Sequence, residues 1–136
     1  MSYSLPEEFY YTKNHEWLHV DENLATIGLT EYALNYLGEV LYIELPEDGQ
    51  NSTPGQTLCS VESVLRIHDM ITAVHGTVLE VNQTLLEDPS LINDDPLGDG
   101  WLLRIEIDTE KDLANLLRSK DYRDYIKDLP STPENP

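Results

Sequence analysis

The histidines at positions 15 and 19 have the spacing of a zinc-binding motif, because residues 15–19 read His-Glu-Trp-Leu-His. In zinc peptidases this pattern lies on a helix, where histidines about one turn apart reach the same ion. Here residues 10–20 mix aromatic and β-branched side chains and predict a strand. Histidines four residues apart on a strand are roughly 13 Å apart, too far to share one ion. A metal-dependent hydrolase that uses His15, Glu16 and His19 is therefore a remote alternative.

Cys59 is the second residue that could do chemistry, as a nucleophile with His68 or His75 as its base. Nothing in the neighbouring sequence supports an activated thiolate, and an isolated cysteine is more often a small buried hydrophobic residue. The acidic pairs at 87–88 and 94–95 lack the ligand spacing of an EF-hand calcium loop. The residues therefore predict no catalytic group, no metal site and a protein that is not an enzyme.

The elements that must hold these residues are mostly short strands, separated by turns rich in Asp, Gly and Pro. Thr30 is expected to cap a helix over 31–37, and Gly38 is expected to follow its end. We predict strands over 10–20, 24–28, 40–45, 57–64, 70–74, 77–82 and 101–107, with a turn over 65–69. Further helices are predicted over 85–93, after a capping box at 109–112, and over 121–129. This pattern indicates a small mainly β sandwich or barrel with peripheral helices.

The composition limits the partners. Eight basic against 26 acidic residues give a formal charge of −18, so nucleic acid and anionic membrane surfaces are excluded as partners. No apolar run is long enough to span a membrane. The single cysteine and the absence of a secretory or transit pattern lead us to expect a cytoplasmic protein. At 136 residues we expect one domain over 1–129 and a disordered tail over 130–136.

The order of several sequence blocks resembles the glycine cleavage system H protein family over residues 5–127. Any one block is weak, but all of them in order are specific. The blocks are Tyr-Thr-Lys-Asn-His-Glu-Trp at 11–17; Ile-Gly-Leu-Thr at 27–30, Ala33, Leu-Gly at 37–38, Glu-Leu-Pro at 44–46 and Gly49; Val-Glu-Ser-Val at 61–64; Gly-Thr-Val-Leu-Glu-Val-Asn at 76–82, Leu85, Pro89, Leu-Ile-Asn at 91–93, Asp-Pro at 95–96, Gly98 and Gly-Trp-Leu at 100–102.

The resemblance implies a mainly β, lipoyl-domain-like barrel-sandwich hybrid with short helices and a C-terminal helical appendage. It also implies a carrier rather than an enzyme. In the family, a lipoyl group on one hairpin lysine moves between glycine decarboxylase, aminomethyltransferase and dihydrolipoyl dehydrogenase. Tethering raises the effective concentration of the carried group at each active site.

The sequence departs from the family at the residue that carries the lipoyl group. In the family, Glu-Ser-Val is followed by the lipoyl lysine, whereas here Glu62-Ser63-Val64 is followed by Leu65. Leucine has no amine, and the guanidinium of Arg66 stays protonated and is a poor acyl acceptor. No lysine occurs between Lys13 and Lys111. The following residues also differ from the family, which favours natural divergence over a single engineered replacement.

We therefore expect no cofactor and a binding or regulatory homologue without a lipoyl group. Its partners would be the glycine cleavage enzymes or a lipoate ligase or transferase. The expected contact residues lie at the predicted hairpin: Glu62, Ser63, Leu65, Arg66 and Asp69. The alternative is a working carrier whose lipoyl arm is attached to Lys13, Lys111, Lys120 or Lys127.

Overall fold

The computed structural model describes residues 3–129, which form two antiparallel β-sheets. In that range the larger sheet has the strand order β1-β2-β3-β9-β8-β5, and the smaller has the order β4-β6-β7. The strands are β1 (Tyr10–Tyr11), β2 (Glu16–Asp21), β3 (Leu24–Leu29), β4 (Val40–Glu44), β5 (Asn51–Ser52), β6 (Thr57–Ser63), β7 (Ile67–Ile71), β8 (Gly76–Val81) and β9 (Leu103–Ile107). The predicted mainly β class is confirmed.

Short helices connect and flank the two sheets. They are α1 (Glu31–Leu37), α2 (Thr84–Glu87), α3 (Leu91–Asp94), a 3-10 helix (Glu110–Asn115) and α4 (Ser119–Lys127). Among residues 3–129, none of these helices has the length and apolar character needed to cross a membrane. The tail expected over 130–136 lies outside the described residues.

Helix α1 occupies the predicted range because its limits are encoded locally. The Thr30 hydroxyl accepts a hydrogen bond from the Ala33 amide at 3.2 Å, as expected of an N-cap. Gly38 ends the helix with a φ of 76°, and its amide donates to the Leu34 carbonyl at 2.9 Å. A left-handed φ is strained for residues with a side chain, which explains the glycine at this position.

Other boundaries differ from the prediction because they depend on contacts that are distant in sequence. Residues 12–15 form a turn that divides the expected strand 10–20 into β1 and β2. Strand β7 begins at Ile67, so the turn before it is shorter than predicted. The region predicted as one helix over 85–93 contains α2 and α3. Strand β5 was not predicted; it has two residues and pairs with β8.

The capping box predicted at 109–112 is wrong in its second half. The Thr109 hydroxyl accepts from the Lys111 amide at 3.2 Å, which begins the 3-10 helix. The Asp112 carboxylate instead accepts from the His75 amide at 2.7 Å. A tertiary contact with another loop has therefore replaced the expected local one.

Two groups of buried side chains hold the fold together. The first is mainly aliphatic, includes Ile27, Val61 and Ile105, and lies between the sheets. The second is mainly aromatic and joins the N-terminal segment to α4. Its buried members are Leu5, Phe9, Tyr11, Trp17, Tyr32, Tyr122 and Ile126.

Trp17 packs directly on the backbone of the neighbouring strand. It lies opposite Gly28 in the β2–β3 register, and its indole nitrogen donates to the Pro96 carbonyl at 3.0 Å. A Cβ atom at position 28 would be 2.6 Å from the indole ring. The glycine is therefore required by close packing rather than by its backbone angles.

We expect Gly28→Ala to lower the free energy of unfolding by about 1–3 kcal/mol, the usual effect of overpacking. In a Trp17→Phe background the smaller ring leaves room, so the same substitution should cost less, with a coupling of at least about 0.5 kcal/mol. Urea unfolding of the four proteins in this double-mutant cycle measures both quantities. Equal costs in the two backgrounds would contradict the packing argument.

Candidate functional site: the β6–β7 hairpin

The tip of the β6–β7 hairpin is a short turn organised by Ser63. The Ser63 amide donates to the Arg66 carbonyl at 2.8 Å, which closes the turn. The Ser63 hydroxyl accepts from the amides of Leu65 at 3.3 Å and Arg66 at 3.1 Å. Because Ser63 is buried and occupied by these bonds, it shapes the turn and is not available to a partner.

The residues around Ser63 expose apolar side chains to solvent. Leu65 is 74% exposed, and both Val64 and Ile67 are 66% exposed. The strand register places Glu62 beside Ile67 on one side and beside Tyr42 of β4 on the other. An apolar surface with an acidic residue in it therefore extends from the hairpin tip onto the three-stranded sheet.

Arg66 does not extend into solvent with Leu65. Its guanidinium carbon lies 5.6 Å from the centre of the Tyr36 ring, in a cation–π contact, and the side chain is half-buried. The buried Nε atom of Arg66 has no hydrogen-bond partner. Within residues 3–129 Arg66 also forms no ion pair. The guanidinium is thus held against the protein while its charge remains unpaired.

A row of polar side chains lies beneath Arg66. The Tyr36 hydroxyl and His68 Nδ1 are in hydrogen-bond contact. His68 Nε2 lies 3.9 Å from a carboxylate oxygen of Glu16, which is itself buried. Burial raises the pKa of the Tyr36 hydroxyl to about 12, with Arg66 opposing that rise. Tyr36 is therefore neutral at physiological pH.

Glu16 connects this row to the edge of the hairpin. Its carboxylate accepts from the Thr12 hydroxyl at 2.6 Å and from the Ile71 amide at 3.2 Å. The Asn14 side chain donates both to Glu16 and to the Asp69 carbonyl, the latter at 2.8 Å. The side chains of Asn14 and Glu16 thus bond to backbone groups of β7, which is an edge strand of its sheet.

The five residues predicted as contacts are only partly brought together. Ser63, Leu65 and Arg66 share the turn, and Glu62 lies beside it. Asp69 is farther along β7, exposed, and accepts from the Ser60 hydroxyl at 2.8 Å.

Sequence analysis missed Tyr36 and Asn14, which hold the hairpin in place. Tyr36 lies one turn after Tyr32 on α1, a spacing that indicates a shared helix face. Nothing in the sequence places that face against residue 66. Asn14 lies inside the family-like block at 11–17, yet its link to Asp69 joins residues 55 positions apart.

The His-Glu-Trp-Leu-His segment at 15–19 lies on a strand from its second residue onward and not on a helix. Residues Glu16–Asp21 form β2, and His15 precedes it with a left-handed φ of 69°. His15 Nδ1 is 2.8 Å from the Tyr122 hydroxyl, whereas the ring of His19 packs 5.4 Å from that of Phe9. The two histidines therefore have separate environments and do not converge on a common site.

Cys59 is a buried residue of the aliphatic core. Burial raises the pKa of its thiol far above the ordinary value, and the carboxylates of Glu16, Glu44 and Asp69 raise it further. A thiol in this environment stays protonated and is a poor nucleophile. The nucleophilic interpretation of Cys59 is not supported.

Comparisons with known proteins agree with one another. The family model described as glycine cleavage H-protein matches residues 9–129. A glycine cleavage system H protein from Thermoanaerobacter sp. is 43% identical over 120 residues, covering 88% of this chain and 94% of the relative. One from Halothermothrix orenii is 39% identical over 126 residues, covering 93% and 98%. The crystal structure of a glycine cleavage system H protein from Mycobacterium marinum matches with a TM-score of 0.84 at 29% identity, covering 90% and 99%.

Two antiparallel sheets with an exposed hairpin define this molecule as a lipoyl-domain-like barrel-sandwich protein. The chain belongs to the glycine cleavage H-protein family, and the resemblance noted in its sequence is confirmed. This is a family of lipoate carriers rather than of catalysts in the usual sense.

His15 makes stability dependent on pH. Burial, and secondarily the charge of His68, lowers the pKa of His15 from 6.5 to about 4. Between those values the unfolded state binds more protons than the folded state, so stability falls as pH falls. The loss begins near pH 6.5 and is complete below about pH 4.

We expect His15→Asn to flatten this dependence, since asparagine tolerates the left-handed backbone and does not titrate. The contribution of His15 is up to about 3 kcal/mol between pH 7.5 and 4. Urea unfolding across this range measures the slope. His19→Gln is the matched control, because His19 is exposed on β2 and should leave the slope unchanged. An unchanged slope in His15→Asn would refute the assignment.

Proposed function

We propose that this chain is a member of the H-protein family that carries no lipoyl group and acts as a binding or regulatory protein. It uses the β6–β7 hairpin to dock on an enzyme of glycine cleavage or of lipoate handling. The candidates are glycine decarboxylase, aminomethyltransferase, dihydrolipoyl dehydrogenase and a lipoate ligase or transferase. The observation that carries the proposal is the exposed Leu65 at the hairpin tip.

Leu65 is chemically unable to carry the family's group. A lipoyl group is attached as an amide, and a leucine side chain offers no nitrogen. The nearest cation in sequence, Arg66, lies against Tyr36 and is always protonated. Lysine is absent from the sequence between Lys13 and Lys111. The residues at the tip therefore do not fit a covalently attached lipoyl group.

The surface of the tip is suited to docking. Leu65, Val64 and Ile67 are each at least 66% exposed, and large apolar side chains tend to be the anchors of protein interfaces. Glu62 and Asp69 are exposed on the same hairpin, and Arg66 adds a half-buried guanidinium in its turn. A partner with an apolar pocket and basic residues around it would complement this surface.

The proposal includes a single domain over 1–129 and a cytoplasmic location. The hydroxyl of Ser119 on α4 donates to the Leu5 carbonyl at 2.6 Å, which ties the N-terminal segment to the C-terminal helix. The family match over 9–129 spans both sheets and α4. A buried, unpaired Cys59 is compatible with a reducing compartment.

Pull-down with the immobilised chain tests the docking role. The probes are the four purified enzymes named above, from the protein's own source. We expect at least one to bind, and Leu65→Ala with Arg66→Ala to weaken that binding roughly tenfold, as for interface anchors. Leu79→Ala is the matched control, because Leu79 is 49% exposed on the other sheet. Binding by none of the four enzymes, or equal binding of the variant, would refute the docking role.

A second candidate function is a carrier with its arm on Lys13, which the structure places in the tight β1–β2 turn. Its neighbour Asn14 bonds to Asp69, so this turn lies beside the β6–β7 hairpin. The Lys13 amine, however, lies 5.5 Å from the centre of the Tyr125 ring in a cation–π contact. Lys111, Lys120 and Lys127 lie on the 3-10 helix and α4, away from any turn between strands.

Intact mass and peptide mapping of the protein from its native source separate the two candidates. We expect the unmodified mass, because the amines available are not at the tip of the β6–β7 hairpin. As a control, recombinant protein is incubated with lipoate ligase, lipoate and ATP. Its mass then shows whether any amine of this chain can be lipoylated. A lipoyl-sized increment mapped to Lys13, Lys111, Lys120 or Lys127 would support the carrier and overturn the first proposal.

A further inference from the structure

A second apolar surface lies in a cleft between β4 and α2, apart from the hairpin turn. The floor of this cleft is formed by buried or half-buried side chains, and exposed ones stand at its rim. Its lining residues are Tyr42, Ile43, Glu44, Leu45, Pro46, Glu47, Asp48, Val81, Gln83 and Leu86.

Two large apolar side chains in this cleft are exposed to solvent. Tyr42 is 56% exposed and Leu86 is 57% exposed. The core contact of α2 is made by the adjacent Leu85, which is fully buried, so Leu86 is not needed to hold the helix. Apolar side chains grouped at one place on the surface often mark an interaction site.

The charges along this cleft have one sign. Its lining contains Glu44, Glu47 and Asp48, all exposed, and no lysine or arginine. Within residues 3–129 none of the three carboxylates forms an ion pair. The apolar cleft is therefore rimmed by unpaired negative charge, which is complementary to a cationic partner.

We propose that the cleft between β4 and α2 is a second docking site, for a segment of a partner protein that carries lysine or arginine on both sides of a large apolar side chain. The apolar side chain lies between Tyr42 and Leu86, and the cations face Glu44, Glu47 and Asp48. The site is continuous with the hairpin surface, because Tyr42 lies beside Glu62 in the strand register.

The cleft shares Tyr42 with the apolar surface of the hairpin, but docking in the cleft does not require that the hairpin docks. The experiment that tests it alters no residue of the 63–66 turn and uses no glycine cleavage enzyme. Failure of the hairpin proposal would appear in the pull-down alone, whereas failure of this one appears in binding of a small peptide to the whole chain.

The test is titration of the 15N-labelled full chain with a Lys-Leu-Lys-Leu-Lys peptide, followed by amide chemical shifts. We expect the largest shifts at residues 42–48 and 81–86. Binding should be strong at about 0.01 M salt and weaken at about 1 M, where the Debye length falls from about 30 Å to 3 Å. A Lys-Ser-Lys-Ser-Lys peptide of equal charge should bind roughly fivefold more weakly.

Two sets of variants separate the apolar from the charged contribution. Tyr42→Ser with Leu86→Ser should reduce the affinity for the leucine peptide to that for the serine peptide. Glu44→Gln with Glu47→Gln should weaken both peptides at low salt. We expect each variant to fold, because all four substituted residues are exposed. The midpoint of thermal unfolding checks this.

Glu22→Gln with Glu110→Gln is the matched control. These two substitutions remove as much charge as Glu44→Gln with Glu47→Gln, but at a different cleft, beside Tyr10. They should leave peptide binding nearly unchanged. Shifts spread over the acidic surface, equal affinity of the two peptides, or an equal effect of the control pair would each overturn the proposal.

Discussion

The buried carboxylate of Glu16 joins the two sheets, and the position of the hairpin depends on it. Glu16 belongs to β2 of the six-stranded sheet, yet it accepts a hydrogen bond from the Ile71 amide in β7 of the other sheet. Burying a charge is costly unless hydrogen bonds or a counter-charge compensate. Here Thr12, Asn14 and the Ile71 amide supply hydrogen bonds, and the His68 ring lies close by. The buried carboxyl group of Glu16 thus fixes an edge strand through its bond to the Ile71 amide.

A hairpin fixed in this way presents its tip in one orientation. The same cluster continues through His68 and Tyr36 to Arg66, so its contacts run from β2 to the turn itself. A surface that is already ordered loses little entropy on binding. Under the docking role that we propose, a partner recognises this surface by its shape. The hairpin ends in the exposed side chain of Leu65.

The parts of the fold that could be predicted from sequence are those whose causes are local. Helix α1 is an example, because Thr30, Gly38 and the apolar spacing between them are sufficient to define it. Strand β5 could not be predicted, since two residues carry no periodic signal and the pairing with β8 is distant in sequence. At the candidate site, the sequence predicted Leu65 and Arg66 as contact residues but could not show that Arg66 lies on Tyr36. That contact depends on how α1 packs against the small sheet.

Helix α4 limits the order in which parts of this protein can fold during synthesis. The Tyr122 hydroxyl contacts both His15 and the capping residue Thr30, and the Tyr122 ring stacks on Tyr11 at 5.0 Å. His15 and Thr30 precede Tyr122 by 107 and 92 residues, so they are translated before it. During synthesis the aromatic cluster lacks Tyr122 until α4 has been made. A nascent chain stalled before α4 would therefore expose these rings to chaperones or to aggregation.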